Sequence, residues 1–335
     1  MKLVLQPVVA ALSVSLLMFS STPVFAQTYA LPPEGTDVIG SVDYVYAKHE
    51  DTLADIARDS GLGYEEIVRS NPDIDPWLPG EGVKVVLPTQ YVLPQAPREG
   101  IVVNVSEMRL YYYPKPAQGE LPQVVTYPIS VGRVDWATPL GLTKIVSKRK
   151  DPTWRPPDSI LAEHAADGNP LPRVVPPGPD NPLGKFALNL SIPGYLIHGT
   201  NKPAGVGMQV THGCIRMYPE SIEALFLSVD VGVKVRLVDQ PYKVGWLGDA
   251  LYLEVHAALS QNADTKKLSK TPVVKAIIGA TKVREASIEW ARLASIIERA
   301  DGMPVTISLS SSEGPADIEE TQDFEDAQEL VLLKP

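Results

Sequence analysis

Apolar positions follow three different rhythms along this chain. Behind Met1-Lys2, Leu3 to Phe19 is a predominantly apolar run that ends near Pro23 and the small-residue site Val24-Phe25-Ala26. The run is slightly short for a bilayer span, and a helix-breaking Pro precedes a cleavable site, so the pattern predicts a secretory signal peptide removed after Ala26. Between Val42 and Pro88 the pattern is strand, helix, helix, strand. Val42 to Tyr46 alternates, Asp51-Thr52 can cap a helix bearing Leu53, Ile56 and Ala57, and a second helix carries Tyr64, Ile67 and Val68 up to Asn71-Pro72. Val83 to Leu87 closes the unit.

From Gly100 the rhythm becomes that of a β protein. Ile101 to Val105, Arg109 to Tyr113, Gln123 to Ile129, Thr143 to Val146, Phe186 to Leu190, Tyr195 to His198 and Val233 to Val238 are short runs rich in β-branched and aromatic residues. Many short strands at this spacing predict a mainly β fold, a sandwich or a twisted open barrel, over residues 99–240. Thr89 to Glu99, with Pro94 and Pro97, reads as a short stiff linker. Asp151 to Leu183 holds nine prolines yet keeps Trp154, Ile160, Leu161 and Leu171, which predicts an ordered loop packed over a site. Residues 241–309 read as a small α+β extension, with a strand at Leu251 to Val255 and an amphipathic helix from Arg284 to Ala300. The Ser, Asp and Glu content from 310 to 335 predicts a disordered tail.

Composition narrows the partners. The formal net charge is −10, and loss of Lys2 with the signal makes it −11. An acidic chain without basic clusters argues against nucleic acid and anionic lipid. No later stretch reaches the roughly 20 apolar residues of a membrane span, and no cysteine stands near Ala26 to carry a lipid. The chain has one cysteine, Cys214, so an exported form cannot close an internal disulfide. By count alone it is either a reactive thiol or a small buried hydrophobe.

Its neighbours separate the two. In Thr211-His212-Gly213-Cys214-Ile215-Arg216, Gly213 permits a tight turn beside the sulfur, and the amides of Gly213 and Cys214 could face a developing oxyanion. Arg216 would share a face with Cys214 in extended chain and could hold a substrate carboxylate. Upstream, Tyr195-Leu196-Ile197-His198-Gly199-Thr200 ends an apolar strand in a second imidazole. Cys214 and His198 could be the nucleophile and base of cysteine acyl transfer, although spacing alone does not bring them together. Zinc is a poor alternative, because the His-Gly-Cys spacing is wrong for a knuckle. A papain-like order, with Cys first and a distant downstream His and Asn, is absent.

These motifs resemble the signature of the L,D-transpeptidases of bacterial cell walls. Met108 to Tyr112, Pro128 to Gly132, Thr138 to Gly141, Pro152 to Pro157 and Pro176 to Gly184 resemble the subgroup that carries an N-terminal LysM domain. Residues 42–88 resemble that glycan-binding module through Asp51-Thr52-Leu53, Ile56-Ala57, Asn71-Pro72 and Val85 to Pro88, with Glu50 where a Gly is usual. The resemblance implies a β-sandwich-like catalytic domain behind a βααβ LysM unit. It implies that Cys214 attacks the diaminopimelate carbonyl of a peptidoglycan tetrapeptide stem, expels D-Ala and leaves a thioester. His198 would move the protons, oriented by the Gly199 carbonyl, with Gly213 and His212 near the oxyanion. Arg216, Thr211, Thr200, Tyr195 and Trp154 are the candidate substrate-binding residues. Such a two-step route implies no metal and no cofactor.

Three acceptors remain open on the residues: the C-terminal Lys of an outer-membrane lipoprotein, a second stem giving a 3-3 cross-link, or water. The Pro-rich stretch and the overall layout resemble the lipoprotein-attaching subgroup. A non-catalytic wall-binding protein is the competing class, and an intact Cys214, His198, His212 and Gly213 argue against it.

Overall fold

The computed structural model describes residues 26–259 and 270–309. The stretch before Ala26 and the tail from 310 lie outside them. Alternation at 100–113 produces two cores rather than one. Strand Gly100–Asn104 pairs antiparallel with Arg109–Tyr113, and every residue of the latter is buried. Ile101, Val103, Leu110 and Tyr112 face the main core, while Val102, Tyr111 and Tyr113 face a second one. Because successive side chains point to opposite faces, a strand apolar at every position needs cover on both sides.

Among the described residues the main sheet has nine strands, in the spatial order Gln27–Ala30, Gln123–Pro128, Arg109–Tyr113, Gly100–Asn104, Lys234–Val238, Gly141–Lys150, Phe186–Leu190, Leu196–His198 and Ile215–Arg216. The architecture is mainly β, as the pattern predicts. Helix Pro219–Ser228 follows the last strand and buries Ile222 and Leu225 in the main core, with Pro219 in its first turn where no helical N–H is lost.

The expected linker is structural. Strand Gln90–Val92 pairs with Val38–Gly40, and Tyr91 and Leu93 fill the second core against Val102 and Tyr111. Two prolines suggested a spacer, but the apolar residues between them cover the outer sheet face. Pro94 then ends the ladder.

Strand Asp43–Tyr46 pairs antiparallel with Lys84–Leu87, and helices Leu53–Asp59 and Tyr64–Ser70 pack on them through Leu53, Ile56, Ile67 and Val85. Thr52 and Asp55 form a reciprocal cap at the first helix. The Asn71 amide donates to the Ile67 and Val86 carbonyls and accepts from the Val86 N–H, stapling the second helix to the closing strand.

This unit is docked on the sheet. Tyr64 N–H donates to Val206 O and Glu65 N–H to Gly207 O, while Tyr218 Oη donates to Leu62 O. Gly207 has φ +87, and a Cβ there would lie 2.3 Å from the Gly63 α-carbon, so only Gly permits the approach.

In the C-terminal part, strands Tyr242–Leu247 and Ala250–Val255 form a hairpin joined by Val305–Thr306. The expected helix from Arg284 begins only at Leu293 and runs to Arg299. Residues 287–289 instead pair with residues 307–309, with Glu289 N–H donating to Ile307 O and Leu309 N–H to Ser287 O. Tertiary pairing overrides the local helical pattern there. An unpredicted helix, Lys270–Val283, buries Val273 and Ile277 one turn apart. No helix among the described residues is long and apolar enough to cross a membrane.

Candidate active site

The motif residues meet at the sheet edge. Strand Leu196–His198 runs parallel to Ile215–Arg216, with His198 opposite Arg216. This pairing puts Cys214 two residues before the position opposite His198. His198, 5% exposed, ends its strand against a cleft of about 1190 Å³ that Cys214, His212, Arg216, Thr200 and Thr211 also line. His198 Nδ1–H donates to Gly199 O at 2.6 Å. A carbonyl can only accept, so Nε2 keeps its lone pair. Burial pushes the His198 pKa down to about 3, and the Arg216 charge adds to the effect. Burial likewise raises the Cys214 thiol, against the opposing pull of the Leu196 N–H and Arg216. These shifts keep the Cys214 thiol and the His198 imidazole uncharged at neutral pH.

Local geometry holds the sulfur in place. Gly213 has φ +94, and a Cβ would meet Tyr195 Cε1 at 2.9 Å. Thr138 Oγ1 accepts from Gly132 N–H and donates to Gly213 O, both at 3.0 Å, while Thr211 Oγ1 donates to Cys214 O at 2.6 Å. The N–H groups of Gly213 and Cys214 have no protein acceptor among the described residues. Cys214 Sγ lies 3.7 Å from Gly194 O.

Other expected residues divide. Trp154 lines the cleft and forms a two-way backbone bridge with Val175, each N–H to the other's carbonyl at 2.9 Å. Thr200 Oγ1 accepts from Lys202 N–H at the cleft floor. Tyr195 does not line the cleft; its ring stands beside Gly213 and packs on the main core. Arg216 lines the cleft with its Nε buried and unpartnered, so its fork is free of protein carboxylates.

The Pro-rich segment is a wall of this cleft with a helix in it. Pro156-Pro157 lead into helix Asp158–Ala166, where the proline content predicts a loop. Fully buried Asn181 holds the segment: its amide donates to Pro152 O at 2.8 Å and Pro176 O at 3.1 Å, and its carbonyl accepts from Leu183 N–H. Ile160, Leu171, Pro172 and Val175 line the cleft.

Sequence reasoning missed two functional contacts. Glu163, from the segment's helix, lies 3.1 Å from His212 Nε2 and pairs with Arg133 through its other oxygen at 2.5 Å. No local signal marks Glu163, which stands 49 positions before His212. The second is charge. Lys148, Arg149, Lys150, Arg155, Lys202 and Arg216 line the cleft against Asp151 and Asp180, a cationic hollow in an acidic chain.

The YkuD family model, the L,D-transpeptidase catalytic domain, matches residues 98–237. The Escherichia coli protein named "Probable L,D-transpeptidase ErfK/SrfK" is 39% identical over 88% of this chain and 95% of its own length. "Probable L,D-transpeptidase YcfS" of the same organism is 41% identical over 72% of this chain and 76% of its own length. The NMR structure of the catalytic domain from the E. faecium L,D-transpeptidase aligns with 43% of this chain and 100% of that domain, at 20% identity and a TM-score of 0.32. With Cys214 and His198 lining one cleft and relatives matching along most of its length, the chain belongs to the L,D-transpeptidase family and is an enzyme of that kind.

Proposed function

We propose that this enzyme is exported to the periplasm, where it links peptidoglycan stems to the C-terminal Lys of an outer-membrane lipoprotein. Cys214 attacks the diaminopimelate carbonyl of a tetrapeptide stem while His198 Nε2 takes the thiol proton. The amides of Gly213 and Cys214 receive the oxyanion. The imidazolium then protonates the leaving D-Ala amine, and a thioester remains on Cys214. The observation that carries this reading is the Cys214–His198 cleft with its cationic lining, Arg216 above all, which suits a substrate bearing several carboxylates. The βααβ unit at 42–88 is read as a LysM module that holds the glycan strand, and its docking beside Gly207 supports delivery of stems to the adjacent motif. Residues 1–26 are read as the export signal.

The acceptor is tested by mass spectrometry. The purified protein is incubated with disaccharide-tetrapeptide and a peptide ending in Lys. A Lys-linked muropeptide supports lipoprotein attachment, 3-3 dimers favour cross-linking, and bare tripeptide favours hydrolysis. Product formation by Cys214→Ala would remove the thioester route altogether.

A further inference from the structure

We propose that Glu163, carried into the cleft wall by the helix of the Pro-rich segment, positions His212 to accept a proton from the incoming amine. This inference rests on the acyl-transfer reading above and concerns its second half.

The geometry sets the tautomer. Glu163 Oε1 is held by Arg133 and Oε2 faces His212 Nε2 at 3.1 Å. The Arg133 hydrogen bond, with the His212 contact, holds the Glu163 carboxyl below the usual carboxylate range, against the small cost of desolvation. An ionised carboxylate only accepts, so His212 Nε2 carries the hydrogen and Nδ1 keeps the lone pair. In that neutral form Nδ1 cannot donate to an oxyanion; it can take a proton. His198 shows the opposite arrangement, with Nδ1–H on Gly199 O and Nε2 open. His198 and His212 thus offer the cleft imidazoles of opposite tautomer, and acylation by Cys214 uses only one of them. The Trp136 ring edge, 5.3 Å from the His212 ring, and the Arg133 N–H on Thr211 O fix the surroundings of the pair.

Aminolysis needs a second base. A Lys side chain, of pKa about 10.4, arrives as an ammonium and cannot attack until it loses a proton. That proton passes to His212 Nδ1, and the carboxylate of Glu163 stabilises the imidazolium formed. The free amine attacks the thioester carbonyl, the C–S bond breaks, and the second amine proton returns through His198 to the Cys214 thiolate. His212 then releases its proton to solvent. Charge and protons balance, and no further reactant is required.

The test separates the half-reactions in Glu163→Ala, Glu163→Gln and Glu163→Asp. D-Ala release measures acylation by disaccharide-tetrapeptide. Transfer is measured to a peptide ending in Lys and to hydroxylamine, which is largely unprotonated at neutral pH. In Glu163→Ala, acylation should stay within roughly threefold of the parent, while transfer to Lys falls roughly tenfold or more, the low end of a lost general base. Glu163→Gln should resemble it, Glu163→Asp should recover much of the rate, and transfer to hydroxylamine should be spared. Equal loss in acylation and in both transfers would mean that Glu163 only holds the cleft wall in place and would overturn the proposal, as would no loss at all. A parent enzyme that forms no thioester would instead overturn the acyl-transfer reading, before any variant is compared.

Discussion

Arg109 of the central sheet and Glu66 of the second helix form a two-oxygen ion pair in which the guanidinium is fully buried. Its Nη2 lies 2.6 and 2.8 Å from the carboxylate oxygens, and the Tyr91 ring stacks at 4.3 Å. The pair joins the βααβ unit to the sheet. Removing one member leaves a buried charge uncompensated, at a cost of about 3–5 kcal/mol. Glu66 remains 19% exposed, so Glu66→Ala should fall at the lower end, about 3 kcal/mol. The midpoint shift in urea unfolding reads it. A loss below about 1 kcal/mol would mean that water replaces the carboxylate.

His198 governs the acid side of the reaction. Burial and Arg216 hold its pKa at about 3, so it is protonated, and lost as a base, only in strong acid. The rate of Cys214 acylation should therefore hold its value as pH falls from 7 to about 5, with no inflection near the ordinary 6.5. An acid limb near 6.5 would contradict the buried setting. His198→Ala should lower acylation by roughly 10²–10⁴-fold.

Gly213 carries two demands at once, the φ of +94 and the 2.9 Å approach of Tyr195 Cε1. Gly213→Ala should add about 1–3 kcal/mol of local strain and lower acylation roughly tenfold to a hundredfold. Adding Tyr195→Ala removes the contact but leaves the φ, so the double variant should recover only part of the rate. Full recovery in stopped-flow acylation would show that the contact alone matters.

Lys243 sits wholly buried between Glu107 Oε2 at 2.8 Å and Glu254 Oε1 at 2.7 Å, where the C-terminal hairpin meets the sheet. Glu254 also faces His256 Nε2 at 2.5 Å. Lys243→Met leaves two carboxylates without their cation and should cost about 3–5 kcal/mol. Burial opposes ionisation of Glu107, yet Lys243 and His256 hold its carboxyl below the ordinary range. A lowered folded value means that the unfolded chain binds the proton more readily. The stabilisation is then present above the unfolded value of about 4.3 and is lost as pH falls through the folded one. Urea midpoints of the parent should fall steeply in that acid window. In Lys243→Met, with the cation gone, burial raises the Glu107 carboxyl instead, so the fall in that acid window should shrink or reverse.

The amino-acid sequence alone determined most of the strands and marked one cluster of reactive residue types. Cys214, Gly213 and His198 are legible because a lone thiol, a glycine turn and an imidazole at strand ends stand out locally, and Cys214 and His198 do line one cleft. The strands at Arg109 to Tyr113 and Phe186 to Leu190 begin and end where their apolar runs do. Tertiary structure decided what depends on distant partners. Tyr91 became core because the outer face of the sheet required cover, and residues 287–289 stayed extended because residues 307–309 offered them a ladder. Glu163 reached His212 only through the folding of a proline-rich segment held by Asn181. Periodicity reports the face on which a residue lies. It carries no information about which charge, tens of positions away, will stand opposite, because that contact is set by packing between elements.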